Sequence, residues 1–367
     1  MMKFEANKTE LVEATTAVST VVPKNPSIQL LGNILIEAGS TGVKLTGSDM
    51  ETWVAHKINA NVTEAGETTV PSRIFVELLN SLPQEQIEIS VQSHGQLLIK
   101  SGVTKVTLNC VNGVDYPRIP TVSSGDKITV DRDLLLTIVD KVTPALSERM
   151  EDKRELLGAL ITIKDQQFNL VGTDTQRLSI CQIPSPNAPD VDAIVAGTVW
   201  RNLTKLIDGG DTGDVELTFS PTQLGFSFGK VDVVSRLIDG NFPAYRHIIP
   251  TKFEFKVIAD KKTLMDSLSR VNIIVRQGSK RVTLAIKENE LVCKGIAPEL
   301  GEVEEKLAVE SFGGELELSF DIRKLIDGIK GVDGPRVQLN LNGVLHPVLI
   351  QAENDDTYRY ILVSLRC

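Results

Sequence analysis

No stretch of the 367 residues approaches the roughly 18 consecutive apolar residues that span a membrane. The opening Met1-Met2-Lys3 runs directly into a strand pattern, so neither a membrane span nor a signal peptide is expected. Cysteine is scarce. Cys110, Cys181, Cys293 and Cys367 are scattered without a C-x-x-C pair, which argues against a disulfide scaffold and for a reduced, cytoplasmic protein. The four histidines (His56, His94, His247, His346) show no H-x-x-H or H-E-x-x-H spacing, so no metal site is expected, and His56 and His94 read as surface residues. Aromatics are not interleaved with basic residues, which excludes a stacking platform for single strands. There is no G-x-S-x-G, and Gly209-Gly-Asp-Thr-Gly213 lacks the Lys-Ser/Thr of a phosphate loop and follows a helical pattern rather than a strand. Asp49 and Asp174 occupy matching strand-end turns, where a carboxylate that bonds its own backbone is expected rather than a catalytic pair. These absences exclude the common enzyme classes. Neither catalysis nor a cofactor is expected.

What is present is a repeat. A chain of 367 residues exceeds the roughly 250–300 at which one core stops growing, so two or three domains are expected. A helix over 8–21 carries Leu11, Ala14, Val18 and Val22 at spacings of 3, 4 and 4, and a second over 72–82 carries Phe75, Leu78, Leu79 and Leu82. Strand patterns stand between them at 33–37, 43–47 and 53–62 and after them at 87–91, 96–100 and 105–109. The same order recurs with helices at 131–142, where Asp131 is an N-cap candidate, and 199–208, and again at 260–275 and 321–330. Alternating strands with two helices per repeat predict an α+β fold with antiparallel sheets covered by helices on one face.

Charge follows the repeat. The net charge is −9, but the six helical windows, the fifth extended to Arg276, sum to +2 and leave −11 on the remainder. Arg201, Lys205, Lys261, Lys262, Arg270, Arg323, Lys324 and Lys330 make the helices electropositive. This suits a surface that meets phosphate without reading bases.

Two corners punctuate the repeats. One is Ser235-Arg-Leu-Ile-Asp-Gly-Asn-Phe-Pro-Ala-Tyr-Arg-His-Ile-Ile-Pro250; a weaker echo is Asn112-Gly-Val-Asp-Tyr-Pro-Arg-Ile-Pro120. With the turn Gly172-Thr-Asp-Thr-Gln-Arg-Leu178 and the ending Tyr360-Ile-Leu-Val-Ser-Leu-Arg366, the chain resembles the bacterial DNA polymerase III beta sliding clamp family along nearly its whole length. The resemblance implies three repeated clamp domains, at 1–122, 123–250 and 251–367, forming half of a closed ring. Two copies would join head to tail around double-stranded DNA, tethering a replicative polymerase and serving the clamp loader and repair proteins. It implies DNA-facing Lys24, Arg201, Lys205, Lys261 and Lys324, and a dimer contact of Lys105, Val106 and Leu108 against Ile273 and Ile274. Because Val271 and Val275 already complete the core stripe, one of the two isoleucines should point outward. It also implies a hydrophobic cleft for short linear peptides, formed by Leu157, Thr173, Thr175, Arg177, Leu178, Pro243, Ile248, Leu345, Ile361, Val363 and Leu365. Two departures mark this chain. The family tail usually reads Met-Pro-Met/Val-Arg where Val363-Ser364-Leu365-Arg366 stands here, and the turn often has Gly/Ser-His where this chain has Thr175-Gln176. The competing reading is a monomeric three-domain peptide-binding scaffold, which size in solution separates from a clamp.

Overall fold

The computed structural model describes residues 2–92, 95–122, 125–149, 153–186, 188–207, 213–344 and 346–366. His94 and the glycine-rich stretch before Gly213 lie outside them. Six helices carry the repeat: α1 (Lys8–Ser19), α2 (Ser72–Ser81), α3 (Arg132–Val142), α4 (Gly197–Ile207), α5 (Lys261–Val275) and α6 (Ile322–Lys330). None is long and apolar enough to cross a membrane.

By packing, the chain divides into two compact units, 1–135 with 198–237, and 136–197 with 238–367. The first unit holds two antiparallel sheets. One has the strand order Ala60–Glu64, Lys3–Asn7, Gln86–Gln92, Gln96–Ser101, Thr104–Asn109. The other runs Asp126–Val130, Val215–Phe219, Gln223–Phe228, Val231–Arg236, Thr52–Ile58, Gly42–Ser48, Asn33–Gly39, Gly66–Pro71. The second unit holds a nine-stranded sheet, Val191–Ala196, Gly158–Lys164, Gln167–Thr173, Arg177–Pro184, Asp355–Leu362, Val348–Ala352, Arg336–Leu341, Phe255–Asp260, Glu310–Phe312. Its four-stranded sheet runs Gly301–Ala308, Glu290–Ala297, Arg281–Lys287, Leu316–Asp321. Each unit thus contains a seam where strands from different sequence repeats pair: Val231–Arg236 on Thr52–Ile58, and Arg177–Pro184 on Asp355–Leu362.

The helices form where their caps and apolar spacing dictate. Asn7, Asp131, Asp260 and Asp321 accept backbone N–H bonds in the first turns of α1, α3, α5 and α6, relieving donors that have no helical partner. Leu11, Ala14 and Val18 of α1, and Leu264, Leu268, Val271 and Val275 of α5, are fully buried. Close contact with the sheet needs glycine. A Cβ on Gly47 would lie 2.2 Å from the Val18 carbonyl of α1, and one on Gly295 would lie under 3 Å from Val271 and Val275 of α5.

A second repeated device joins the two helices of each repeat. The first residue of the leading helix is basic and donates to carbonyls at the C-terminal end of the following one: Lys8 to Asn80 and Leu82, Arg132 to Ile207, and Lys261 to Lys330 and Val332. A cation there meets the negative end of the helix dipole and satisfies acceptors the helix leaves open.

Two sequence expectations fail here. His56 is buried, at 6% exposure, rather than at the surface, because its strand is paired on both sides. Burial pushes its pKa below the ordinary value. The strand expected over 53–62 is two strands, ending at Ile58 and resuming at Ala60, each in a different sheet.

Candidate functional site

The second unit brings most of the expected cleft residues into one neighbourhood. Across the seam Leu178 pairs with Ile361, and within its hairpin Leu178 pairs with Thr173. Paired residues share a sheet face, and Leu178 and Ile361 sit in one buried cluster with Leu160, Val171, Ile180 and Tyr245. Phe242 and Ile249 of the corner pack against that cluster, and Phe242 meets Tyr245 edge-on with 6.3 Å between ring centroids. The corner therefore lies over this face, with Pro243 and Ile248 exposed on it. Next to it, a Cβ on Gly240 would meet Glu155, which sets the corner against the short turn Arg154–Leu157; Leu157 is half-buried there.

The chain end continues the rim. The Val363 N–H donates to the Gln176 carbonyl at 3.0 Å, the Ser364 hydroxyl to the Val344 carbonyl at 2.6 Å, and the Leu365 N–H to Ser319 at 2.7 Å. Val363 and Val344 remain 46% and 42% exposed, so apolar surface stands open beside a buried apolar floor. Leu345 lies outside the described residues.

The turn between the paired strands is tightly held. The Thr173 hydroxyl donates to the Arg177 carbonyl at 2.6 Å and accepts from Thr175 N–H at 3.1 Å. Asp174 Oδ1 accepts from the N–H groups of Gln176 and Arg177. Thr175 has φ +72°, a conformation that costs a β-branched residue energy and persists only where the surroundings impose it. Asp49 makes the equivalent turn with Glu51 and Thr52, so both aspartates are backbone caps, as expected from their positions.

Arg177 differs from the other cleft residues. Paired with Leu362, it lies on the opposite face from Leu178. Its guanidinium bonds Asp174 at 3.1 Å, Asp327 of α6 at 2.7 Å and the Tyr360 hydroxyl at 3.3 Å. Burial disfavours its charge, but Tyr360, Asp327 and Asp174 outweigh that and raise its pKa. It braces the turn from the helix side instead of walling the apolar floor.

The residues expected to face DNA separate into two groups. Lys24 and Lys205 are exposed and Arg201 is half-buried. Lys261 is engaged with the α6 C-terminus, and burial lowers its pKa. Lys324 donates to Asp174 at 2.9 Å and Gln176 at 2.6 Å. Both of these ammonium groups already have internal partners. Arg323 and Lys330 present the exposed charge of α6.

Of the expected dimer residues, Lys105 is exposed and Val106 and Leu108 half-buried on Thr104–Asn109, an edge strand of its sheet. Ile273 is 58% exposed, while Ile274 packs against the core, so one of the pair does point outward.

Burial pushes the thiols of Cys181 and Cys293 up to about 11 and about 12. Among the described residues no cluster of His, Cys, Asp and Glu could hold a metal ion.

Three family models match the chain in order: DNA polymerase III beta subunit, N-terminal domain over residues 2–120, central domain over 129–244 and C-terminal domain over 246–366. The beta sliding clamp of Bacillus subtilis is 27% identical over 378 residues, and that of Staphylococcus epidermidis 26% over 377, with 100% of each chain covered. Among solved structures, the Bacillus subtilis DNA polymerase sliding clamp superposes with a TM-score of 0.95 at 26% identity, covering 100% of this chain and 99% of that one. The Thermotoga maritima DNA polymerase III beta subunit gives 0.93 at 26%, covering both chains fully. The C. crescentus beta sliding clamp gives 0.93 at 25%, also over both full chains, with polyethylene glycol at a region assigned to beta-motif tethering.

Proposed function

The chain belongs to the DNA polymerase III beta-subunit family, the sliding clamps, and from that premise we propose that two copies close head to tail into a ring around duplex DNA. Each chain supplies three domains, at 1–122, 123–250 and 251–367. The ring is a non-catalytic tether, and it holds the replicative polymerase, the clamp loader and repair proteins through the cleft described above.

The observation that carries this reading is the pair of internal seams. Both join the fourth strand of one repeat to the last strand of the next, and both keep one register. Val54 and Ser179, which lie opposite Gly47 and Gly172 in their hairpins, pair across the seams with Val233 and Tyr360. Val233 and Tyr360 in turn lie opposite Phe226 and Ile350.

The fourth strand of the last repeat, Gly301–Ala308, and the last strand of the first, Thr104–Asn109, are both sheet edges with one side open. Their corresponding residues are Val303, opposite Gly295, and Val106, opposite Ile99. Setting Val303 against Val106 of a second copy puts exposed Glu304 opposite exposed Lys105 of that copy and covers two half-buried valines. Two such seams satisfy both open edges, which would otherwise invite uncontrolled pairing. Arg270 of α5 ties to Glu305 of this strand at 2.6 Å, so the end of α5 that bears Ile273 packs beside the same edge.

A tether that slides needs weak, base-blind contact with phosphate. Exposed Lys24, Lys205, Arg323 and Lys330 against an overall charge of −9 support that. The cleft supports short-peptide recognition by pairing a buried floor, Leu178 and Ile361, with open apolar rims, Val363, Val344 and Ile248.

Sedimentation equilibrium tests the assembly. The expected mass is twice 40.1 kDa at low micromolar concentration. A chain that stays at 40.1 kDa is a monomeric scaffold, and the ring is then wrong.

A further inference from the structure

The turn Thr173–Arg177 carries two loads that the cleft depends on. It shapes the edge of the floor at Leu178, and its Gln176 carbonyl holds the Val363 N–H at 3.0 Å. Its own conformation is strained at Thr175. Thr173 and Asp174 hold it from within the hairpin, and a further group reaches the turn from α6.

Lys324 reaches Gln176 Oε1 at 2.6 Å and Asp174 Oδ2 at 2.9 Å, with only 19% of its side chain exposed. Asp174 is 14% exposed and shares its second oxygen with Arg177, which also binds Asp327 of the same helix. The Tyr360 hydroxyl donates to the Lys324 carbonyl at 2.8 Å, which seats this turn of α6 on the seam strand. The cluster holds two cations and two carboxylates and is balanced as it stands. Drawing Lys324 out to a phosphate would leave the largely desolvated Asp174 carboxylate sharing Arg177 with the more exposed Asp327, an arrangement that costs more than a surface contact returns.

We propose that Lys324 is a positioning residue of the peptide cleft and not a DNA contact: its ammonium fixes Asp174 and Gln176, and through the Gln176 carbonyl it fixes the strand-end position of Val363. The proposal rests on the cleft reading above. It also gives the Thr175-Gln176 departure in this chain a role, because the Gln176 side chain supplies the acceptor that Lys324 meets.

The test compares wild type, Lys324→Met and Lys324→Arg as full-length protein. The probe is a labelled pentapeptide that begins with glutamine and ends in leucine and phenylalanine. Lys324→Met is expected to weaken peptide binding about tenfold, the scale of a lost charge-assisted hydrogen bond, and Lys324→Arg to recover most of it. Exchange of the Val363 amide should quicken by a similar factor, while affinity for linear duplex DNA stays at the wild-type value. A merely stabilising residue would lower the melting temperature without moving either readout in the folded protein.

Unchanged peptide affinity in Lys324→Met overturns the proposal, and a loss of duplex affinity alongside it marks Lys324 as a phosphate contact after all. Wild type that binds no peptide removes the cleft reading itself. Should Lys324→Met not fold, Gln176→Ala, at an exposed turn position, decides the matter: weaker peptide binding supports the latch and wild-type binding refutes it.

Discussion

Thr107→Pro will give a folded monomer of 40.1 kDa where the wild type sediments as a dimer. The Cys110 N–H points inward, to the Gly95 carbonyl at 3.0 Å. N–H groups alternate along a strand, so those of Thr107 and Lys105 point out to the free edge. Proline at 107 therefore removes no bond within the subunit, and edge strands tolerate it. It does remove a ladder bond of the proposed seam, worth about 0.5–1.5 kcal/mol, and places a ring where the second copy must approach. A ring contains two such seams. The lost bonds alone cost about 1–3 kcal/mol over the two seams and the clash adds to that, which weakens dimerisation by roughly tenfold or more. Circular dichroism matching wild type, with a halved mass, is the expected result; a Thr107→Pro dimer of full stability would mean that another surface joins the subunits. Ile273→Glu should weaken the same contact. Ile274 is a poor probe, because it packs in the core and its truncation destabilises the subunit itself.

Deleting residues 363–367 will remove peptide binding and leave the dimer intact. Val363 and Leu365 lie outside the buried clusters, so the fold loses little when they go. A bound peptide, however, loses the rim against which its apolar anchors are buried. Each fully buried anchor contributes about 1.5–3 kcal/mol, so a loss of one or two weakens a micromolar complex by at least roughly tenfold to a hundredfold. Val363-Ser364-Leu365 replaces the usual Met-Pro-Met/Val with shorter side chains, which should shift the preferred aromatic anchor. Calorimetry on wild type and truncated protein reads both effects, and equal affinities would put the binding site elsewhere.

Sequence was most informative where order is local. The α1 and α5 stripes follow from apolar spacing, and Asp131, Asp49 and Asp174 cap the turns that their positions suggested. Four strands escaped notice: the short Glu310–Phe312, and Gly66–Pro71, Val191–Ala196 and Leu316–Asp321, the last three each leading directly into a second helix. Their apolar alternation is short and merges with the helix pattern that follows, so periodicity cannot divide them.

The internal partners of Lys261 and Lys324 were illegible for a different reason. A basic residue on a helix looks the same whether it meets solvent, a phosphate or a distant carbonyl. The partners of Lys261 lie 69 and 71 residues away, and the Lys324–Asp174 pair spans 150. One signal was available: a basic residue begins the leading helix of every repeat, as Lys8, Arg132 and Lys261. Random surface charge would not keep that place three times. His56 gave no comparable warning, since its burial depends on Val231–Arg236 pairing from a later repeat.

Enclosure of DNA is the central claim, and the seam register allows a direct measurement of it. Val106→Cys with Val303→Cys, in a Cys110→Ser background, is oxidised in the presence of a nicked circular plasmid and then washed with high salt. The account predicts protein that stays on the circle through the wash and slides off after a single restriction cut. Protein washed from the intact circle, or retained after the cut, would contradict it.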